Sequence, residues 1–165
     1  MVTNLELAWL AGIWDGEGSI TIFTHTEKNG QRKIRPVVCV VNTNLEIIAE
    51  VARILDSLGT SFQVFERKNP KDSHKDCVQL TTSNFEYIKV TIQAMLPYLI
   101  GKKAQAQLVL RYVNKKLEQF KTNKRPRYDE EDEHLQRQAQ KLNRRGKVSD
   151  TSTTEGEAAT ADDTV

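Results

Sequence analysis

Hydrophobic and polar positions along the chain predict an ordered series of helices and strands. The run Leu5–Trp14 is apolar nearly all round and is closed by Gly16, a pattern typical of a helix buried on most sides. Alternation then predicts a strand over Ser19–His25 and, after a polar hairpin, a second strand over about residues 33–41. Apolar residues at helical spacing next predict a helix over Leu45–Leu58.

The pattern repeats more weakly in the middle of the chain. Ser61–Arg67 and Asp76–Thr82 predict a second hairpin. A helix is expected after it, because Ser83 and Glu86 have capping-box spacing, and Pro97 marks its end. The sequence therefore predicts a second helix-flanked pair of strands.

Two further helices complete the predicted fold. One covers about residues 102–120, and another begins with the acidic turn at Asp129 and ends near Arg144 and Arg145. This order predicts an α+β domain in which helices cover one face of a four-stranded antiparallel sheet. We divide the chain into a core (1–123), a basic linker with a C-terminal helix (124–148) and an acidic tail (149–165) that we expect to be disordered.

Charge is unevenly distributed along the chain, whose net charge is +2. Residues 1–127 contain 19 Lys and Arg against 12 Asp and Glu, whereas residues 128–165 contain 5 against 10. A basic body indicates a polyanionic partner, although ordinary solubility charge gives a similar imbalance.

Several classes of protein are disfavoured by composition. No apolar run approaches the length of a membrane span and no signal peptide is visible, so we expect a soluble intracellular protein of a bacterial cytoplasm or an organelle, with no membrane partner and no small-molecule substrate. Cys39 and Cys77 lack paired spacing, which gives no sign of a disulfide framework or zinc site. His25, His74 and His134 are scattered, which disfavours a histidine-based metal nuclease.

The end of the first helix carries the strongest chemical signal. Ala8, Ala11 and Gly12 are small and would let a second helix approach closely. Asp15 and Glu17 follow at the helix C-terminus, where the dipole disfavours acids. A second copy of this helix would bring four carboxylates together, an arrangement that suits Mg²⁺. The plain alternative is a glycine-rich turn with two solvated acids.

Residues 10–18, Leu-Ala-Gly-Ile-Trp-Asp-Gly-Glu-Gly, resemble the LAGLIDADG motif of homing endonucleases. The segments Leu96–Leu99 and Lys102–Gln105 resemble the region before that family's last core helix, and Leu142–Thr151 resembles its C-terminal region. The resemblance covers about residues 5–150 and implies an αββαββα-type fold, one motif per chain and a homodimer. Ala8, Ala11, Gly12 and Asp15 are then expected at the dimer interface.

The resemblance also implies metal-dependent hydrolysis of phosphodiester bonds in double-stranded DNA. Glu17 and the carbonyl of Gly16 are the expected metal ligands, with Mg²⁺ as cofactor and Mn²⁺ or Ca²⁺ as substitutes for binding. Glu17 stands where the family has Asp, which adds one methylene. Lys102 corresponds to the active-site lysine, and Asn42 or Thr43 to the polar residue that orders water.

In this family the sheet reads DNA. Alternation assigns Ile20, Ile22, Val78 and Leu80 to the core. The opposite positions are the expected DNA contacts: Thr21, Phe23, His25, Gln63, Arg67, Cys77, Gln79 and Thr81. The phase of the second strand stays open, since either Arg32 or the pair Lys33 and Arg35 would face outward. Arg144 and Lys147 are further expected contacts near the C-terminus.

Two other functions fit the same fold, namely a maturase that binds intron RNA and a DNA-binding protein with an inactive site. Retention of both Glu17 and Lys102 argues against an inactive site, because a binder needs no acid facing phosphate. An unrelated α+β domain is the remaining alternative.

Overall fold

A computed structural model describes residues 1–68, 76–123 and 128–143. Its α+β architecture confirms the predicted class: a four-stranded antiparallel sheet with helices. The predicted linker residues 124–127 and the tail 149–165 lie outside the described residues. In chain order the elements are α1 (Asn4–Glu17), β1 (Gly18–Thr26), β2 (Arg32–Asn42), α2 (Leu45–Ser57), β3 (Gln63–Arg67), β4 (Cys77–Thr82), α3 (Phe85–Met95), α4 (Lys103–Thr122) and α5 (Glu130–Asn143).

The sheet has the strand order β1-β2-β4-β3, and every neighbouring pair is antiparallel. Ile20 pairs with Val38, and Leu80 pairs with Val40, so these apolar side chains share one face. All four side chains are fully buried. Helices cover this face, and the buried residues of α1, α3 and α4 pack against it in one core. The opposite face of the sheet is left open by the helices.

Caps fix where the helices begin. Thr3 and Glu6 form a complete capping box at α1, and the side chain of Asn44 accepts from the backbone of Glu46 at α2, as its position predicts. The predicted Ser83 cap of α3 is wrong. Asn84 is the N-cap there, because its side-chain oxygen accepts from the backbone N–H groups of Glu86 and Tyr87.

The C-terminal helix α5 packs against β1 and α4. Leu135 and Ala139 enter the core, and Lys116 of α4 forms an ion pair with Asp132 of α5 in which both side chains are buried. The side-chain amide of Asn143 donates to the carbonyl of Ile20 at 3.2 Å. Within the described ranges, no helix combines the length and apolar character that a bilayer span requires.

Candidate functional site

The junction between α1 and β1 presents Glu17 at the surface. A Cβ added at Gly18 would overlap the Trp14 ring and lie 2.8 Å from the Trp14 Cα, so only glycine fits there without rearrangement. Trp14 itself is fully buried. The tight turn therefore anchors the last turn of α1 in the core and leaves the Glu17 carboxylate exposed.

Asn42, the last residue of β2, lies beside Glu17. Its side-chain amide donates to the Glu17 carboxylate Oε2. Its Oδ1 accepts from the backbone N–H of Asn44 at 2.8 Å, which fixes the side chain in the turn before α2. Thr43 is exposed, and among the described residues the hydrogen bond to Glu17 comes from Asn42 and not from Thr43. Of the two candidates, the structure brings Asn42 to the acid.

Lys102 reaches the same end of α1 from the turn before α4. Its ammonium donates to the carbonyl oxygens of Trp14 at 2.7 Å and Asp15 at 2.5 Å. These carbonyls belong to the C-terminal turn of a helix, where the dipole favours a cation. The ammonium is therefore held within one helical turn of Glu17.

Asp15 has a role within its own chain that the sequence did not predict. Its carboxylate accepts from the backbone N–H of Ile100 at 2.7 Å and of Lys102 at 2.8 Å. Burial raises the pKa of Asp15, but the backbone amides of Ile100, Lys102 and Gly101 outweigh that effect, so the pKa lies below its ordinary value. The Asp15 carboxylate is thus bound within its own chain, unlike that of Glu17, and the place of Asp15 at a dimer interface stays a prediction.

The donors at this junction are of the kind that hard divalent cations prefer. Glu17 offers exposed carboxylate oxygens, and the adjoining backbone of Gly16 is also at the surface. In the part of the chain that the structure describes, no group of three or more His, Cys, Asp and Glu side chains could hold a metal ion. The residues present fit a cation bound jointly by Glu17 and by oxygen atoms from outside this chain, such as phosphate.

The exposed face of α1 carries a strip of small residues beside the exposed side chains of Leu5 and Trp9. Ala8, Gly12 and Gly16 are exposed at four-residue intervals, and a Cβ added at either glycine would meet nothing within 4 Å. No described residue of this chain therefore requires glycine at those positions, although glycine costs a helix about 1 kcal/mol relative to alanine. Ala11 is fully buried in the core, which corrects its predicted place at an interface. Sequence reasoning missed Gly16 as a member of this face.

The open face of the sheet collects the predicted contact residues. Strand pairing places Thr21, Phe23, His25, Lys33, Arg35, Gln63, Arg67, Cys77, Gln79 and Thr81 on that face. The phase of β2 follows from its buried residues, since Ile34, Val38 and Val40 point toward the helices. Lys33 and Arg35 therefore point the other way. The expectation that Arg32 projects from the open face is corrected: Arg32 lies on the helix-covered side, with its Nη1 3.9 Å from Oε1 of Glu133 in α5.

Apolar residues on the same open face were missed. Val37 pairs with Thr21, and Val41 and Phe65 both pair with Gln79. Cys39 also lies there, and burial raises the pKa of its thiol. Alternation with Gln63 and Arg67 on β3 already points to Phe65, whereas Val37, Cys39 and Val41 follow only once the phase of β2 is known. Arg144 and Lys147 lie outside the described residues.

Comparisons with known proteins identify the family and the fold. Residues 4–93 match the LAGLIDADG-like domain family. The chain is 31% identical over 116 residues to the DNA endonuclease I-CvuI of Chlorella vulgaris, and the match spans 68% of this chain and 66% of that enzyme, just under two thirds.

Solved structures of homing endonucleases share the fold. The structure of I-CvuI in complex with the I-CreI target has a TM-score of 0.64 at 24% identity and covers 87% of this chain and 85% of that one. The archaeal intron-encoded I-Vdi141I complexed with DNA also has a TM-score of 0.64, at 16% identity, and covers 87% of both chains. The chain belongs to the LAGLIDADG-like domain family.

Proposed function

We propose that this protein is a site-specific DNA endonuclease that acts as a homodimer and depends on a divalent metal. The observation that carries the proposal is the convergence of Glu17, Asn42 and Lys102 at the end of α1, beside an open basic sheet face. The related I-CvuI is a DNA endonuclease. Its structures with DNA include one in 2 mM Mg and one in 2 mM Ca.

The reaction is hydrolysis of a phosphodiester bond by water. A bound Mg²⁺ would polarise the phosphate, lower the pKa of the attacking water and stabilise the leaving 3′ oxygen. Glu17 and the Gly16 carbonyl are the residues that would hold it. Asn42 orients the Glu17 carboxylate, and Lys102 supplies a fixed positive charge for the scissile phosphate.

DNA would lie along the open face of the sheet. Arg35 and Arg67 project from this face and would contact phosphates or guanine edges, while Gln63 offers an amide for base edges. Lys33 and Gln79 lie on the same face, where Lys33 pairs with Glu27 and the Gln79 amide donates to Thr81 at 2.7 Å. The face is built from all four strands, so it is long enough to follow a groove over several base pairs. This arrangement supports specific recognition of a duplex.

Two chains would pack through α1. Ala8, Gly12 and Gly16 form a strip without bulky side chains, and the last turn of the same helix carries Glu17. A dimer built on this strip brings both Glu17 residues to the centre of the assembly, one for each DNA strand. The unexplained glycines of α1 support this proposal.

Glu17→Gln tests the proposal directly. A library of randomised duplexes is first incubated with the wild-type protein and Mg²⁺, and a cleaved duplex is recovered as substrate. Glu17→Gln should cleave it at least about 100-fold more slowly, because a neutral amide binds Mg²⁺ poorly, while duplex binding stays within about twofold.

Glu118→Gln provides the matched control, because Glu118 is an exposed carboxylate on α4 that pairs with Lys121, also on the surface of α4. It should cleave at the wild-type rate. Failure of the wild-type protein to cut any duplex with Mg²⁺, or undiminished cutting by Glu17→Gln, would overturn the proposed function.

A further inference from the structure

We propose that Asp15 is a positioning residue for Lys102, acting through a reciprocal clamp between the end of α1 and the start of α4. The clamp has two halves. The side chain of Asp15 binds the backbone of Lys102, and the side chain of Lys102 binds the backbone of Asp15. This inference rests on the proposed function, because it concerns the same site.

The turn before α4 lacks a cap of its own. Lys102 occupies the N-cap position of α4, with no side-chain cap hydrogen bond. Helix N-termini leave backbone N–H groups without intrahelical partners, and a negative charge there is favourable. The Asp15 carboxylate meets that need from a distant part of the sequence: one oxygen accepts from Ile100 and the other from Lys102.

Both oxygens of Asp15 are therefore committed to the turn that carries Lys102. A Cβ added at Gly101, between the two donors, would lie 3.6 Å from the Asp15 Oδ1, so the turn packs closely against the carboxylate. Displacement of this turn would move the backbone of Lys102 and with it the root of the catalytic side chain. The ammonium would then lose its fixed distance from the carbonyls of Trp14 and Asp15.

This arrangement separates two acids that look alike in the sequence. Glu17 is exposed and faces the place where substrate would bind, whereas Asp15 is turned inward and binds protein amides. The Asp15 carboxylate accepts from one backbone amide on each oxygen, whereas in Asn one of the two oxygens is replaced by an NH₂ donor that cannot accept from the backbone N–H it would face. Asp15→Asn thus weakens the clamp while preserving volume.

The test measures single-turnover cleavage and duplex binding for Asp15→Asn, Lys102→Ala and the double variant. Asp15→Asn should slow cleavage by about 10- to 100-fold, since small displacements of a catalytic group have effects of that size. Binding should change by less than about twofold. The double variant should cleave within about twofold of the rate of Lys102→Ala alone, because the side chain that Asp15 positions is already absent.

Asp56→Asn, an exposed aspartate near the end of α2, is the matched control and should keep the wild-type rate. A purely structural Asp15 would lower stability but would slow both backgrounds equally. Equal slowing by Asp15→Asn in the wild-type and Lys102→Ala backgrounds, or a wild-type rate for Asp15→Asn itself, overturns the positioning role of Asp15.

Lysine acylation, read by mass spectrometry, tests the clamp without any nuclease activity. Lys102 should react more slowly than the exposed Lys103 in the wild-type protein, and Asp15→Asn should abolish that difference. Should the wild-type protein fail to cleave DNA, the proposed function falls while this measurement still decides the clamp. Asp15→Ser, which removes both carboxylate oxygens, serves if Asp15→Asn does not fold: Lys102 reactivity raised to that of Lys103 supports the clamp, and wild-type reactivity overturns it.

Discussion

The side-chain amide of Asn42 donates a hydrogen bond to Glu17 and thereby joins the end of β2 to the end of α1. Asn42 is in turn fixed by the backbone N–H of Asn44, so the Glu17 carboxylate is held in one orientation. An acid that binds a cation at its exposed oxygens benefits from such a partner, because outer partners of a ligand orient it and their loss typically costs about 10- to 100-fold in affinity or activity.

Asn42→Ala should therefore slow cleavage by about 10-fold at low Mg²⁺ and less at saturating Mg²⁺. Thr43→Ala should change the rate by less than about twofold, since its hydroxyl is not the donor to Glu17. Single-turnover cleavage across an Mg²⁺ titration measures both variants. A larger loss of cleavage rate for Thr43→Ala than for Asn42→Ala would contradict this assignment and make Thr43 the residue that orders water.

The phase of β2 gives a second prediction. Arg35 projects from the open face beside Phe23, whereas Arg32 points toward α5 and Glu133. Arg35→Ala should weaken duplex binding by about 1–3 kcal/mol or reduce the slope of log K against log salt by about one, depending on whether it contacts a guanine or a phosphate. Arg32→Ala should leave both quantities near wild type. Fluorescence anisotropy over a range of salt concentrations compares the two, and equal losses would contradict the assigned face.

The glycines of α1 give a third prediction. Gly12→Leu should yield a folded monomer, because an added side chain meets open space within its own chain but blocks a second helix. Ala104→Leu is the control, since Ala104 is an exposed alanine on α4 away from that strip. Light scattering at micromolar concentration should show a dimer for the wild type and the control. A wild-type monomer, or a Gly12→Leu dimer, would refute packing through α1.

The buried ion pair between α4 and α5 gives a prediction on stability. Lys116 and Asp132 are both essentially inaccessible to solvent, so Asp132→Leu alone would remove the carboxylate that faces the buried Lys116 ammonium. We expect a loss of about 3–5 kcal/mol in the free energy of unfolding. The double variant Lys116→Met with Asp132→Leu should recover most of that loss, because two apolar groups replace the pair. Urea unfolding measures all three proteins, and additive losses in the double variant would contradict a coupled pair.

Local patterns predicted most of the secondary structure and the core of the sheet. Alternation identified Ile20, Ile22 and Leu80 as buried, and the position of Asn44 identified its cap. The sequence could not tell which residues of β2 face the helices, because residues 32–35 are Arg, Lys, Ile and Arg and so contain a single apolar position. The pairing of β2 with β1 and the burial of Ile34, Val38 and Val40 decide which side of β2 faces the helices.

The candidate site was predictable as a set of residues but not as a set of contacts. Helical spacing grouped Ala11 with Ala8 and Gly12, yet Ala11 faces the core because the remaining apolar residues of α1 determine which side is buried. Asp15 accepts a hydrogen bond from the backbone of Ile100, which lies 85 residues away in sequence. Only the folded chain could reveal a contact between such distant residues.

The symmetry of the cleaved DNA site tests most directly whether the protein cuts as a homodimer. One chain supplies one Glu17, one Lys102 and one four-stranded reading face, so cutting both strands takes two chains related by a two-fold axis. Cleavage by the wild-type protein with Mg²⁺ should be mapped on a library of long randomised duplexes. For a homodimer we expect a long, approximately palindromic site, cut on both strands near its centre, with half-sites read by the two sheets and central preferences set by DNA bending. Recovery of a short asymmetric site, or of cuts far from any dyad, would contradict the homodimer.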